Sequence, residues 1–288
     1  MSLLKSIAEA SAQSGRQGFV RNMPRHCVAY VPRNTSLLVT FDHFGSIHSE
    51  PPRLPWGHAL AEDMGWSHLG NMTKQNDWFR HPDMFTLYRT LRDDGFFEQF
   101  EQVVFYGASM GGYAACAFSV VCPGARVVAI APQTTLRRSI APFETRFAQG
   151  RKLGHWSGPW VDAAQTVRTA HSVKLFYDPY TGKDASHAAR FTQGRVMHYH
   201  TPFMGHRVPQ LLKSMGLLST VASRAIKGGL NPLKFRRLLR ARYSDPVYVR
   251  ALLELAQDRG HGHLVTTLLD KSDLPLGARA RRLVRARS

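Results

Sequence analysis

A doubly wound, mostly parallel α/β sheet with a small basic helical segment at its C-terminal end is the fold this sequence predicts, on three observations. Short apolar, β-branched runs recur along the chain, the stretches between them carry helical spacing, and a glycine-flanked serine follows one of the runs directly.

The runs span residues 36–41, 102–106, 126–130, 173–177 and 195–200, with 66–71 as a further candidate. Each is nearly continuous in apolar residues, as expected of strands covered on both faces rather than half-exposed. Between them, residues 81–100 place Met84, Leu87, Tyr88, Leu91, Phe96 and Phe97 at roughly helical intervals, with Pro82 where a first helical turn tolerates it. From about Lys227 the pattern changes. Asn231-Pro232 and Ser244-Asp245-Pro246 each set a capping residue before a proline, and the second helix, 247–259, carries Val249, Leu252, Leu253 and Leu255 before stopping at Gly260. The expected organisation is an N-terminal extension over 1–30, a catalytic domain over 31–222 and a basic helical segment over 223–288.

Composition narrows the class. The 288 residues are 43% apolar and 20% charged, ordinary values for a globular protein. No run approaches the roughly 20 apolar residues of a bilayer span, and the first residues lack the apolar stretch of a secretory signal, so a cytoplasmic protein is expected. Cys27, Cys116 and Cys122 have no metal-ligand spacing, which fits buried thiols in a reducing compartment. The net charge of +18 favours anionic partners such as nucleic acid, acidic glycan or membrane headgroups. Residues 225–288 hold fourteen Lys or Arg against five Asp or Glu, which points to the C-terminal segment, and its Arg-rich end 277–288, as the surface for such a partner.

The chemistry is concentrated at Gly107-Ala108-Ser109-Met110-Gly111-Gly112, directly after the 102–106 strand. A G-x-S-x-G sequence between a strand and a helix is a nucleophile elbow. Its serine sits on a strained turn that leaves no room for neighbouring side chains, and Ala114, Ala115 and Ala117 let the following helix approach the sheet. A serine hydroxyl needs a base, and an elbow serine is followed along the chain by an acid and then a histidine. Among fourteen histidines, His206 is the expected base, because Gly205-His206 follows the last strand and precedes a helix near Pro209. His198 and His200 alternate within the presumed strand and read as structural, and His187 reads as a solvent-facing or packing residue of a helix. Two acids remain open, Asp184 in the loop leading into a helix and Asp178 at the strand tip, where it could instead cap the turn. Asp184 is preferred.

Oxyanion donors are expected from the backbone N–H of Met110 and from the loop after residues 36–41, where His43 is the candidate, with Asp42 beside it. Trp78 and Arg80 could line the substrate pocket or could be a core tryptophan and a surface arginine. Trp156 and Trp160 lie where a cap over the substrate could form. No H-E-x-x-H, paired C-x-x-C, Walker loop or dinucleotide fingerprint is present, so no metal and no cofactor are expected.

Over residues 30–222 the chain resembles the α/β-hydrolase superfamily, through Gly107 to Gly112, the acid-bearing loop 178–184 and Gly205-His206. The resemblance implies an eight-strand-type sheet, a Ser-acid-His triad and no cofactor. No His-Gly-Gly oxyanion motif follows the first central strand, a departure that leaves the substrate class open. More loosely, the segments ending at Asp42 and spanning Asn76 to Phe79 are similar to bacterial hydrolase-like proteins associated with surface polysaccharides. The implied activity is ester hydrolysis or acyl transfer on a small-molecule or glycan acyl ester. The contrasting reading is a noncatalytic protein that binds an anionic partner through its basic C-terminal segment.

Overall fold

The computed structural model describes residues 3–49, 53–261, 263 and 267. Eight strands form one sheet: β1 (Phe19–Asn22), β2 (His26–Val31), β3 (Ser36–Phe41), β4 (Ser67–Thr73), β5 (Gln102–Ala108), β6 (Arg126–Ile130), β7 (Ser172–Tyr177) and β8 (Val196–His200). Their order is β1-β2-β4-β3-β5-β6-β7-β8. From β4 to β8 every pairing is parallel, and β1 and β2 run antiparallel at one edge.

Among the described residues eleven α-helices surround the sheet: α1 (Leu3–Ser14), α2 (His58–Asp63), α3 (Pro82–Asp93), α4 (Met110–Phe118), α5 (Ala148–Leu153), α6 (Ala163–Thr166), α7 (Gly182–Ala189), α8 (Val208–Ser214), α9 (Leu218–Ile226), α10 (Pro232–Leu238) and α11 (Pro246–Asp258). Because successive strand side chains point to opposite faces, Leu37, Val39 and Phe41 of β3 join one buried cluster with α3, α4 and α6, while Leu38 joins the other. Burial on both faces explains why the central strands read as unbroken apolar runs.

Two stretches depart from the expected organisation. Residues 1–30, read as an extension, supply α1, β1 and most of β2, and β2 pairs with β4 along its whole length. The basic C-terminal helices are likewise packed on the sheet: Phe235, Leu239, Tyr248, Val249 and Leu253 share a buried cluster with Phe176 of β7 and Tyr199 of β8. Asn231 and Asp245 cap α10 and α11 by accepting the N–H groups of Lys234 and Tyr248. The Arg-rich end, 277–288, lies outside the described residues. No helix among the described residues is long and apolar enough to cross a membrane.

A buried imidazole pair beneath β3 and β4 sets an acid limit on the fold. Thr40 Oγ1 donates to Trp56 O (2.6 Å), so it accepts from His68 Nε2–H (2.7 Å), which leaves His68 Nδ1 unprotonated and without a partner. His58 stacks obliquely on it, ring centroids 5.6 Å apart, with neither ring nitrogen bonded. Burial lowers both pKa values, His58 and Arg33 disfavour charge on His68 further, and at His58 Arg33 adds to the effect while Glu62 partly opposes it. Such groups favour the folded state at pH above their unfolded value of 6.5, and that contribution is lost as pH falls below it. Stability in urea should therefore decline below about pH 6.5, by up to about 1.4 kcal/mol per pH unit for each imidazole. A His58→Leu variant should show a shallower decline, and an unchanged pH slope in that variant would remove His58 from the explanation.

Candidate active site

Parallel strands end on the same side, so the loops after β3, β5, β7 and β8 converge at one edge of the sheet, where ligands of open α/β sheets are bound. Ser109 stands between β5 and α4 with φ 52° and ψ −118°, a conformation costly for any residue with a Cβ. It persists because the turn is held on both sides. Ser109 N–H donates to Ile130 O (2.8 Å), and Ser109 O accepts the N–H of Tyr113 (2.9 Å). A Cβ on Gly107 would lie 2.0 Å from Gly111 O, and one on Gly111 would lie 2.5 Å from Phe41 O, so only glycines let α4 press against β5 and the end of β3. With this elbow centred in the eight-strand sheet, the architecture is decided. The fold is α/β-hydrolase-like.

Ser109, His206 and Asp184 form one hydrogen-bonded series. His206 Nδ1 lies 2.8 Å from Asp184 Oδ2, and His206 Nε2 lies 2.8 Å from Ser109 Oγ. A carboxylate only accepts, so the Nδ1 proton points at Asp184 and Nε2 is left to accept from the serine hydroxyl. Asp184 sits in the first turn of α7 and is 2% exposed. Burial pushes its carboxyl up, but His206 and Arg146 outweigh that and hold it below the ordinary carboxylate range.

Sequence alone leaves Asp178 and Asp184 as alternatives, and the geometry separates them. Asp178 accepts Tyr180 N–H (2.9 Å), Thr181 Oγ1–H (3.2 Å) and Gly205 N–H (2.8 Å). It thus caps the turn after β7 and ties the loop carrying His206 to that turn.

A second group of charges stands behind Asp184. Arg146 Nη1 is 2.8 Å from Asp184 Oδ1, and the rest of its guanidinium forks onto Glu144, with Nη2 2.6 Å from Oε2 and Nε 3.1 Å from each oxygen. Glu144 also accepts from His187 Nε2 (3.1 Å), whose Nδ1 takes the N–H of Thr134 (3.0 Å). His187 is therefore fully buried and paired, not solvent-facing. Burial opposes the charge on Glu144, but His187 and Arg146 outweigh it and leave the carboxyl well below its usual range. Arg146 and Glu144 gave no sequence signal, because they lie in an irregular segment with no helical or strand period.

A cleft of about 890 Å³ opens over Ser109 and His206. Phe44, Trp56 and Phe147 supply apolar walls, and Arg207, Gln210 and Lys213 line the side beyond His206. His43 belongs to the lining, with its backbone N–H donating to Ser46 Oγ (3.1 Å) and its Nδ1 accepting from Gly45 N–H (3.0 Å). Burial lowers the His43 pKa, and Asp42 only partly opposes it. Asp42 itself is fully buried, accepting from Arg53 (2.6 Å), Thr73 N–H (3.0 Å) and Trp56 N–H (3.3 Å), so it braces the loop that presents Trp56. Met110 has a fully buried side chain, and its N–H is at the first position of α4, where no intrahelical acceptor exists.

Trp78 and Arg80 do not reach the cleft. Trp78 packs behind Phe44 and Phe147, its indole N–H donating to Gln133 (2.9 Å). Arg80 gives its guanidinium protons to His155 O and Pro159 O and stacks over Phe85, 4.5 Å from the ring centre. Both are fully buried, Arg80 without a carboxylate, which is why its charge reads on sequence as a surface or ligand-binding group. Trp156 and Trp160 pack against the same core cluster. His198 and His200 are exposed beside Tyr177, on the opposite face from buried Tyr199.

No protein-family model matches the chain, and no curated protein matches it. Among solved structures, it is similar to a capsule O-acetyltransferase of Neisseria meningitidis serogroup A, at 9% identity and TM-score 0.46, covering 77% of this chain and 93% of that one. It is also similar to carboxyl esterase 2 from the mycorrhizal fungus Tuber melanosporum, at 12% identity and TM-score 0.47, covering 75% and 86%. A putative esterase from Staphylococcus aureus shares 16% identity at TM-score 0.45, covering 72% and 82%.

Proposed function

We propose that the protein is a serine esterase or acyltransferase acting on an acyl ester of a small molecule or glycan. The observation that carries this reading is the Ser109–His206–Asp184 series, with both bonds at 2.8 Å and a serine held in elbow geometry beneath an open cleft. Ser109 Oγ attacks the acyl carbonyl as its proton passes to His206 Nε2. Asp184 holds the imidazole in the required tautomer and stabilises the imidazolium. The tetrahedral oxyanion is received by Met110 N–H, with the His43 loop providing the second donor if Ser46 Oγ yields its bond. His206 then protonates the departing alkoxide. Water, or a hydroxyl of an acceptor such as a sugar, attacks the acyl carbon as its proton passes to His206, and His206 gives that proton to Ser109 Oγ as the bond between Oγ and the acyl carbon breaks.

A fluorophosphonate probe should label Ser109 in the folded protein and should not label a Ser109→Ala variant. The same pair, assayed on p-nitrophenyl esters from acetate to decanoate, should differ by at least about a thousandfold in turnover. Failure of the folded wild-type protein to react with the probe would count against a nucleophilic serine. Labelling without ester hydrolysis would favour transfer to a specific acceptor.

A further inference from the structure

We infer that the cleft selects esters whose alcohol portion carries a negative charge, with Arg207 and Lys213 as the residues that recognise it. This rests on the serine-hydrolase reading above and assigns its substrate class.

The cleft is chemically two-sided. Phe44 and Phe147 give one part an apolar wall, whereas Arg207, Gln210 and Lys213 recur every third residue and so present one face at the start of and along α8. All three are exposed. Among the described residues no Asp or Glu lines the cleft, and neither Arg207 nor Lys213 forms an ion pair. The carboxylates around the site are already committed: Asp184 to His206 and Arg146, Asp178 to Gly205, Tyr180 and Thr181, and Asp245, which reaches the end of α8 at Ser214, to the first turn of α11. The two cations therefore project an unopposed positive potential into the cleft, within a chain whose net charge is +18.

The mechanism decides which part of the substrate meets them. The leaving oxygen must come within hydrogen-bond reach of His206 Nε2 to receive its proton, while the carbonyl oxygen turns towards Met110 N–H. The group attached to the leaving oxygen then runs over the residues that follow His206, which are those of the cationic face. The apolar walls are left to the acyl chain. When the bond between the acyl carbon and the leaving oxygen breaks, the acyl group stays on Ser109 and the anionic alcohol departs with the proton from His206. In a transfer reaction, an anionic acceptor alcohol would occupy the same side and lose its proton to His206 as its oxygen bonds to the acyl carbon; the bond from that carbon to Ser109 Oγ then breaks and His206 returns the proton to the serine.

The test compares two acetyl esters that differ only in the charge of the leaving phenol, 4-acetoxybenzoate and 4-acetoxy-N-methylbenzamide. At low ionic strength kcat/KM should favour the anion by about tenfold after correction for the spontaneous rates, and 0.5 M salt should compress the ratio. In the double variant Arg207→Glu, Lys213→Glu the ratio should invert. A wild-type ratio of one or less, or a preference that survives the charge reversal, would overturn the inference. Equilibrium binding of the same two esters to Ser109→Ala reads the preference without turnover. Tighter binding of the anion there, with no labelling of wild-type Ser109, would sustain the charge selectivity while rejecting the serine mechanism; equal binding would reject the selectivity whatever the mechanism.

Discussion

Replacing Asp184 with asparagine should leave a folded protein whose ester turnover is slower by about ten-thousandfold. The asparagine carbonyl oxygen stays beside Arg146 Nη1, which lies 2.8 Å from Asp184 Oδ1, so the amide nitrogen is the group turned to His206. That nitrogen donates, and His206 Nδ1 must then accept, which moves the ring proton to Nε2. A protonated Nε2 cannot take the proton of Ser109. The variant should melt close to wild type while kcat collapses, and a loss smaller than about tenfold would mean that Asp184 is not the group orienting His206.

The Arg146→Met variant should have two separable effects. Glu144 and Asp184 are 1% and 2% exposed, and removing their shared cation leaves two buried carboxylates with one fewer partner. Breaking such a pair typically costs about 3 kcal/mol, readable as a lower urea midpoint. The second effect is on kcat. Arg146 Nη1 stands 2.8 Å from Asp184 Oδ1 while Oδ2 meets His206, so without the guanidinium the carboxylate is free to turn away from the imidazole, and kcat should fall by at least about tenfold with little change in KM. Arg146→Lys should restore part of both. If stability falls and kcat is unchanged, Arg146 supports the loop without positioning the acid.

Much of this was readable in the sequence, for definite physical reasons. Strands covered on both faces are apolar along most of their length, and β3, β5, β6 and β7 accordingly stand out as short, nearly continuous runs. The elbow is legible because steric crowding at Gly107 and Gly111 admits no side chain. The two antiparallel strands were not: β1, Phe-Val-Arg-Asn, is half exposed and only four residues long, and β2 opens on a buried histidine that pairs with Asp77 at 3.0 Å. Choosing between Asp178 and Asp184 needed the direction of each side chain, which depends on the turn that Tyr180 and Thr181 close around Asp178. Arg80 shows the opposite failure. A cation satisfied by carbonyl oxygens and aromatic faces leaves no complementary charge in the sequence to mark it as buried.

The bond from Gly205 N–H to Asp178 closes residues 178–206 into a loop whose two ends are fastened to each other, with the acid near one end and the base at the other. The connection between α7 and β8, residues 190–195, can then vary in length without altering the distance between Asp184 and His206, provided the fastening survives. Any transplant of the stretch as one piece would have to carry Glu144 and Arg146 with it, since they hold His187 and Asp184. An exchange that brought His206 across without Asp178 would deliver the imidazole on an untethered loop.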